Sequence, residues 1–502
     1  MAELYYNDIE RFIGRYSIGR DSNPLNIRDS LHFLRIKIPG GMLKTDQLRL
    51  IAELSKEYGR ERGEITDRQD IQLHWVEAED APEIFLSMEK MGFTTDMCGQ
   101  GFSGARYGDV RNIICCPVSG IEKNELIDVH PFMKHLNEFF IGNREFQDMP
   151  KKFKFAMSGC GADCVRSEIN DLGFVAVQKD KKVGFTMLVG GSMGASLPGP
   201  RLAQPTSLFI KPEDVYDVAI ATTEIHRDYG NRESKMKARF KWLINEWGIE
   251  RFCKILKEKI QKPLERYDGP IFLNDNDHHG ICPQSKEGYH YVNIPLIGGI
   301  LTFDNMMILA ELADEYGSGE LRLTPQQNVI LPNIKSKDAL IKELEISGFS
   351  LDGSNLRWNS MGCASDFCGK TKEPHAKDVV NDIVNHLESR LNTNLLDEAR
   401  FQIHVSGCPN NCCATLIAGI GLEGKLVKER GHLIQNYRLL VGGMTGLKTI
   451  LARPVDENVP VEKLKYKIEV LLNNYDQERQ ESENLSEFCQ RMPVEKLKSF
   501  MT

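Results

Sequence analysis

The chain contains two copies of one long sequence pattern, and this duplication restricts the folds that are open to it. The matching blocks are PGGMLKTDQLRLIAELSKEYG from Pro39 with IGGILTFDNMMILAELADEYG from Ile297, ITDRQDIQLHW (65–75) with LTPQQNVILPN (323–333), FKFAMSGCGADC (153–164) with FQIHVSGCPNNC (401–412), and LVGGSMG (188–194) with LVGGMTG (440–446). The blocks recur in one order at nearly constant separations. We therefore predict two copies of a large module rather than a solenoid of short repeats.

Both copies predict the same local structure. An apolar strand, LHFLRIKI or YHYVNIPL, leads through Gly-Gly into an amphipathic helix, and an alternating strand follows. This order predicts an α+β protein. Charged helix-forming residues predict helices in 207–266 and after Pro460, and the Asn/Asp/His run at 274–280, with EGYH after it, predicts the linker between the halves.

Composition narrows the class of protein. The chain has 502 residues, 41% hydrophobic and 27% charged, and no apolar run is long enough to cross a membrane. Its first residues lack the basic and apolar regions of a signal peptide, so we expect a cytoplasmic protein without a membrane anchor. The net charge of −8 argues against general nucleic-acid binding but leaves room for a local basic pocket.

The second copy carries a cysteine constellation. Cys363 and Cys368 stand in MGCASDFCGK, and Cys408 and Cys412 follow in SGCPNNC. Two pairs about 40 residues apart can supply four thiolates, which suit zinc or an iron–sulfur cluster. The spacing favours a cluster, while structural zinc and plain structural cysteine stay open.

Several motifs together are similar to one known family. SGCPNNC preceded by C-x-x-x-x-C, together with TDRQDIQLHW, RNIICCPVSG and KKFKFAMSGC, resembles the sirohaem-dependent nitrite and sulfite reductases over nearly the whole chain and in order. That family is itself duplicated. It carries a [4Fe–4S] cluster joined to sirohaem through a shared cysteine thiolate, and it reduces its substrate by six electrons.

The resemblance implies a domain organisation. We expect an α+β, internally duplicated, pseudo-two-fold protein with ferredoxin-like half-domains and two sirohaem/cluster α/β domains. The expected boundaries are 1–85 for the first ferredoxin-like half-domain, 86–270 for the first reductase domain with the substrate cations, 271–347 for the second half-domain, 348–455 for the reductase domain with the cluster ligands, and 456–502 for a helical tail.

The resemblance also implies the metal ligands. Cys368, Cys408 and Cys412 match family ligands, and Cys412 matches the thiolate that bridges cluster and sirohaem iron. The family's first ligand would fall at Gly362, and this chain has Cys363 one position later, so we predict Cys363 as the fourth ligand. Cys413 has no implied role.

The distal cations of the family match Arg68, Arg111, Lys152 and Lys154 in the first copy. Such cations would bind an anion and stabilise developing charge. The second copy has Gln326 where the first has Arg68, and Gln402 where it has Lys154, while Arg400 stands opposite Lys152. The first copy thus keeps the cations and the second keeps the full cysteine set.

Further polar residues are candidates for cofactor contacts. Asn410 lies between two predicted ligands and is equally well explained as a turn residue. We predict Gln69, Gln327 and Asn328 as contacts to the carboxylates of sirohaem. For the cysteines of the first copy, which are Cys115, Cys116, Cys160 and Cys164, we predict a vestigial or packing role.

The predicted reaction is the reduction of sulfite to sulfide, with ferredoxin as the donor because no nucleotide-binding fingerprint is visible. Lys152-x-Lys154 resembles sulfite reductases, whereas plant-type nitrite reductases have Asn at the second position, so nitrite is the alternative substrate. A rival hypothesis of another class is a non-catalytic protein that binds a metal to stabilise its fold.

Overall fold

The computed structural model describes residues 12, 15–20, 31–96, 108–276, 278–364, 371 and 374–501. The predicted ligand Cys368 lies outside these residues. The described part forms four large mixed or antiparallel sheets with helices packed on them, which confirms the predicted α+β class. Within it, no helix combines the length and the apolar character that a membrane span needs.

The first half-domain is a sheet covered by two helices. Its elements are β1 (Gly19–Arg20), β2 (Leu31–Lys37), β3 (Met42–Lys44), α1 (Thr45–Tyr58), β4 (Arg62–Ile65), β5 (Ile71–Glu77), α2 (Ala81–Lys90) and β6 (Thr94–Thr95). The strand, Gly-Gly turn, helix and second strand of the sequence prediction are β2, residues 40–41, α1 and β5. Both glycines of the turn have positive φ, a conformation that glycine adopts without a steric cost.

The first α/β domain follows. Its elements are β7 (Ile114–Cys115), α3 (His130–Phe140), β8 (Phe155–Ser158), β9 (Leu172–Lys179), β10 (Lys182–Val189), β11 (Gln204–Pro205), β12 (Leu208–Phe209), α4 (Val215–Tyr229), α5 (Phe240–Ile260) and β13 (Glu265–Arg266). Strands β7, β8 and β9 are parallel, and β10 returns antiparallel to β9. The predicted helical region 207–266 contains α4 and α5, with β12 and β13 at its ends.

The second copy repeats both units. Its half-domain contains β14 (Gly280–Pro283), β15 (His290–Ile294), β16 (Ile300–Thr302), α6 (Phe303–Tyr316), β17 (Glu320–Leu323), β18 (Val329–Ile334) and α7 (Lys337–Ile346). Its α/β domain contains α8 (Leu356–Asn359), β19 (Met361–Gly362), α9 (Ala376–Arg390), α10 (Thr393–Ala399), β20 (Ile403–Ser406), β21 (Ile420–Glu429), β22 (His432–Val441), β23 (Arg453–Pro460), α11 (Leu464–Glu478), α12 (Leu485–Arg491) and α13 (Val494–Phe500).

The two half-domains exchange a strand and share one core. Strand β3 pairs with β17 of the other copy, and β16 pairs with β4. Helices α1 and α6 pack together, and apolar residues of both copies, such as Ile51 and Leu309, belong to one buried cluster. Burial of apolar surface contributes about 25 cal/mol per Å², so this shared core stabilises the contact between the two copies.

The C-terminal helices belong to the second α/β domain. Ile468 and Leu472 of α11 and Phe488 of α12 lie in the same buried cluster as Tyr437 and Leu439 of β22. The tail that we predicted at 456–502 is helical after Pro460, as expected, and packs on that sheet. We therefore describe it as part of the domain.

Candidate functional site

The SGCPNNCC motif forms a tight turn directly after β20. The Asn411 backbone N–H donates to the Cys408 carbonyl at 3.1 Å, and Asn411 has a left-handed φ of 53°. The Asn411 side-chain oxygen accepts from the Thr415 N–H at 2.6 Å. This turn leaves Cys408 buried and Asn410 and Cys412 exposed. Asn410 therefore occupies a turn position, and its predicted contact with a cofactor stays a prediction.

Cys363 lies beside this motif. It follows β19, which runs parallel to β20, and its N–H donates to the Val405 carbonyl at 3.0 Å. Its Sγ accepts from the N–H of Gly407, the residue before Cys408, at 3.2 Å. A hydrogen bond with Cys413, and then burial, raise the pKa of the Cys363 thiol. The structure thus brings the predicted ligand at 363 to the motif, and places the unassigned Cys413 next to it.

The predicted lysines stand in the extended segment before β8. Lys152 and Lys154 are two residues apart and therefore face the same side. Neither amine has a hydrogen-bonded or ion-paired partner in the part of the chain that the structure describes. Burial, and then repulsion by Lys154 and Arg111, lower the pKa of Lys152 to about 7. Burial also lowers the pKa of Lys154.

The lysines of the first copy interact electrostatically with Cys412 of the second. Burial, and then Cys363, raise the pKa of the Cys412 thiol, while Lys152 and Lys154 oppose that rise. Cys412 is exposed and both lysines are partly exposed, so solvent can reach all three side chains. The predicted lysines and the predicted bridging thiol therefore lie within electrostatic range of each other across the boundary between the copies.

The two predicted arginines lie in buried hydrogen-bond networks. The Arg68 guanidinium donates to the Asn170 side chain at 3.0 Å and to the Phe155 carbonyl at 3.0 Å, while its Nε has no partner in the described residues. Arg111 pairs with Asp109 at 3.2 Å and lies 3.9 Å from Asp96. Arg111 also interacts electrostatically with Lys152. Both arginines thus place positive charge within electrostatic range of the predicted lysines, Arg68 near Lys154 and Arg111 near Lys152.

A small cavity lies between the two copies at this point. Arg68 and Lys154 line it from the first copy, and Pro325, Cys413 and Ala414 line it from the second. Asp67 also lines the cavity, and its charge raises the pKa of Lys154 against the effect of burial. The cavity therefore adjoins both the predicted cations and the cysteine motif.

Two further cations close to the cysteine motif were not predicted from the sequence. Arg166 lines the cavity and donates to His404 Nε2 at 3.3 Å across the boundary between the copies. Burial, and then this arginine, lower the pKa of His404. Buried Lys377 donates to the carbonyls of Ile65 and Gly298. A comparison of the two copies could have identified Arg166, because the second copy has Ala414 at the matching position.

The predicted glutamine contacts have another explanation. The Gln69 amide nitrogen donates to the carbonyls of Cys115 (3.0 Å) and Leu323 (2.8 Å), and its oxygen accepts from the Cys115 N–H (2.9 Å). Gln327 makes the matching pair of bonds to Gly362. Both are buried and have a left-handed φ. We therefore assign them the structural role of completing the edges of β7 and β19.

Asn328 is engaged in the same way. Its oxygen accepts from the Leu296 N–H at 3.0 Å, and its nitrogen donates to the Trp358 carbonyl at 2.7 Å. The side chain is buried. Its predicted contact with cofactor carboxylates stays a prediction.

Replacing Gln69 by Leu is expected to lower the free energy of unfolding by about 1–3 kcal/mol, because buried backbone groups of Cys115 and Leu323 lose their partner. Thermal unfolding measures this change, and Gln178→Leu on the exposed end of β9 is the control, with an expected change within about 0.5 kcal/mol. Unchanged stability combined with a loss of bound pigment would instead support the predicted role in cofactor binding.

The thiols and cationic side chains of this region fit two kinds of cofactor, an iron–sulfur cluster and an anionic organic cofactor. Cys363, Cys408 and Cys412 are thiols on two adjacent segments, and thiolates are the usual ligands of such clusters. Positive charge for carboxylates or for an anionic substrate comes from the amines of Lys152 and Lys154 and from Arg68, whose Nε has no partner among the described residues. Fold and site together therefore define an iron–sulfur oxidoreductase with a duplicated α+β architecture.

Comparison with known proteins identifies the family. Residues 107–264 and 364–501 match the nitrite and sulphite reductase 4Fe-4S domain, and residues 26–91 and 283–345 match the nitrite/sulfite reductase ferredoxin-like half domain. The chain belongs to the nitrite and sulfite reductase family, and it is an oxidoreductase with duplicated ferredoxin-like half-domains. This result confirms the resemblance and the fold class read from the sequence.

Relatives with both substrates in their names are similar to this chain. A ferredoxin–nitrite reductase of Leptolyngbya laminosa is 33% identical over 86% of this chain and 84% of its own length. A sulfite reductase [ferredoxin] of Mycolicibacterium paratuberculosis is 30% identical over 95% and 85%. The solved structure of the Mycobacterium tuberculosis NirA protein superposes with a TM-score of 0.87 at 28% identity, covering 97% of this chain and 90% of that one.

Proposed function

We propose that this chain reduces sulfite to sulfide at a sirohaem coupled to a [4Fe–4S] cluster, with electrons from reduced ferredoxin. The observation that carries the proposal is the electrostatic interaction of Lys152 and Lys154 with Cys412, since cations that can bind an anion then lie near a soft metal ligand. The donor is proposed from the relatives, whose names specify ferredoxin.

Four cysteines would hold the metal groups. Cys363, Cys368, Cys408 and Cys412 would ligate the cluster, and Cys412 would be the thiolate shared with the sirohaem iron. When bound, these groups would relay the electrons that ferredoxin delivers and would supply the coordination site for the substrate. Among the described ligands, Cys363 directly follows β19, and Cys408 and Cys412 lie in the turn after β20, which pairs with β19.

The cations of the first copy bind the anion and donate protons to it. Sulfite must lose its oxygens as water, so charge develops on each departing oxygen and protons must arrive there. Lys152 has a pKa of about 7, so its Nζ can give up a proton and take it back near neutral pH. Lys154, Arg68 and Arg111 supply the surrounding positive charge.

Nitrite is the second candidate substrate, and the ferredoxin–nitrite reductase relative favours it. The two lysines favour sulfite, because a dianion gains more than a monoanion from a second positive charge. Steady-state rates with each anion, using a reduced low-potential dye as donor, test the choice. A kcat/KM for nitrite that greatly exceeds the value for sulfite would overturn the proposal for sulfite.

The pH dependence of turnover should report the charge of Lys152. Its pKa lies below that of an ordinary lysine, so the charged form is present below about pH 7 and is lost as pH rises through that value. We expect kcat/KM to fall above about pH 7. Nitrite is the substrate to use for the profile, because sulfite itself titrates in this range.

Lys152→Arg is the matched variant for this profile. An arginine stays charged over the whole range, so the fall above neutral pH should move to much higher pH. An unchanged profile in Lys152→Arg would show that another group causes the fall.

A further inference from the structure

The first copy contains a compact group of metal-type ligands. Cys116, Cys160, Cys164 and His278 are buried, and one potential ligand atom from each lies within 4.8 Å of all the others. The Cys160 Sγ lies 3.8 Å from the Sγ atoms of Cys116 and Cys164, and 3.5 Å from His278 Nε2. Cys116 Sγ and His278 Nε2 are 3.8 Å apart. The vestigial or packing role predicted for these cysteines does not explain this convergence.

The spacing matches one tetrahedral zinc ion. Zn–S bonds of about 2.3 Å hold two sulfur ligands about 3.8 Å apart, and a Zn–N bond of about 2.0–2.1 Å places nitrogen about 3.5 Å from each sulfur. The two sulfur–sulfur distances of 3.8 Å and the 3.5 Å between Cys160 Sγ and His278 Nε2 agree with these edges, and the 3.8 Å between Cys116 Sγ and His278 Nε2 is slightly longer. A four-iron cluster binds one thiolate at each iron corner and keeps its thiolates farther apart, so a single ion fits this group better.

The strand pairing of β7 and β19 shows which cysteines of the two copies occupy equivalent positions. Cys116 follows β7 and donates its N–H to Met157 at 3.0 Å, just as Cys363 follows β19 and donates to Val405 at 3.0 Å. Cys116 is therefore the counterpart of Cys363. The sequence repeat already pairs Cys160 with Cys408 and Cys164 with Cys412. The first copy thus keeps three of the ligand positions predicted for the cluster in the second.

The fourth member comes from the segment between the copies. His278 lies in the predicted linker just before β14, yet it is buried and has a left-handed φ of 54°. Its Nδ1 lies 3.3 Å from the Tyr291 hydroxyl and 3.5 Å from Glu122 Oε2, and that hydroxyl donates to the carboxylate at 2.9 Å. A carboxylate or hydroxyl on one ring nitrogen orients the other nitrogen toward a metal, as in many zinc sites.

We propose that Cys116, Cys160, Cys164 and His278 bind a zinc ion in a closed structural site. Three thiolates and one imidazole fill the four positions of a tetrahedron, so no position is left open for substrate. The ion would tie the loop after β8 to the segment that enters the second copy. This site is separate from the proposed cluster ligands, and its existence does not depend on the proposed reaction.

Metal analysis of the purified full-length holoenzyme tests the proposal. We expect about one zinc atom per chain in addition to the iron, and zinc-edge X-ray absorption with about three sulfurs at about 2.3 Å and one nitrogen at about 2.0–2.1 Å. Absence of zinc, a different ligand shell, iron in its place, or a disulfide among these cysteines in peptide mapping would overturn the assignment. The zinc-edge X-ray absorption spectrum of the wild-type protein tests the proposed ligands even if no variant folds.

Two cysteine variants sharpen the result. Cys164→Ser should lose most of the zinc, while Cys115→Ser should keep it. Cys115 is the matched control because it is the buried neighbour of Cys116, but its Sγ lies 3.8 Å from the Gly40 carbonyl, outside the group. Equal zinc content in the two variants would contradict the proposed ligands.

Discussion

Serine in place of Cys412 is expected to abolish turnover of sulfite and nitrite. Cys412 is the exposed thiol at the end of the Pro-Asn-Asn turn, and it lies within electrostatic range of Lys152 and Lys154. A serine hydroxyl is a hard, weakly acidic ligand that cannot replace a soft thiolate between two iron centres. We expect dye-driven turnover to fall to the background rate, with loss of the visible bands of a coupled pigment.

Cys413→Ser is the matched control for this variant. Cys413 is adjacent in sequence but buried, and its thiol forms a hydrogen bond with Cys363 that a serine hydroxyl can also form. We expect it to keep iron and activity, and Cys363→Ser to lose cluster iron. If Cys413→Ser lost the cluster while Cys363→Ser kept it, Cys413 would be the fourth ligand and our assignment of Cys363 would be wrong.

Lys154→Asn is expected to lower kcat/KM for sulfite by about 10²–10³-fold, the usual cost of removing one preorganised group that stabilises developing charge. The Lys154 amine lines the cavity together with Arg68 and Arg166, and no ion pair among the described residues holds its charge. The loss for nitrite should be smaller, because a monoanion interacts less strongly with the missing charge. Steady-state kinetics with both anions on one enzyme preparation measure the two effects.

Lys179→Gln is the control for the loss of a lysine charge. Lys179 stands at the end of β9 and pairs with Glu265 at 2.7 Å in a partly exposed ion pair, which contributes little. Its kinetics should match those of the wild type. Equal effects of Lys154→Asn on sulfite and nitrite would contradict the charge argument for sulfite.

The sequence repeat predicted much of the fold because each block encodes a local pattern. Alternating apolar residues, the Gly-Gly turn and the helical spacing that follows specify β2, α1 and β5 and their copies without reference to the rest of the chain. The exchange of β3 and β16 between the half-domains was not predicted, since pairing between distant strands leaves no local signal.

The site could be predicted from the sequence only in part, for the same reason. Cys408 and Cys412 share one short motif, and their family pattern is specific. His278 lies 114 positions after Cys164 in a polar stretch, so only the folded chain shows that it joins Cys116, Cys160 and Cys164. Gln69 and Gln327 looked like polar ligands, and their use in closing strand edges depends on left-handed backbone geometry that a sequence pattern does not display.

The visible spectrum of the purified wild-type chain, expressed with a supply of sirohaem and titrated with sulfite, tests the central claim most directly. We expect a Soret band and a chlorin-type band, both of which shift as sulfite binds beside Lys152 and Lys154. A protein without these bands, or one whose bands do not respond to sulfite or nitrite, would contradict it.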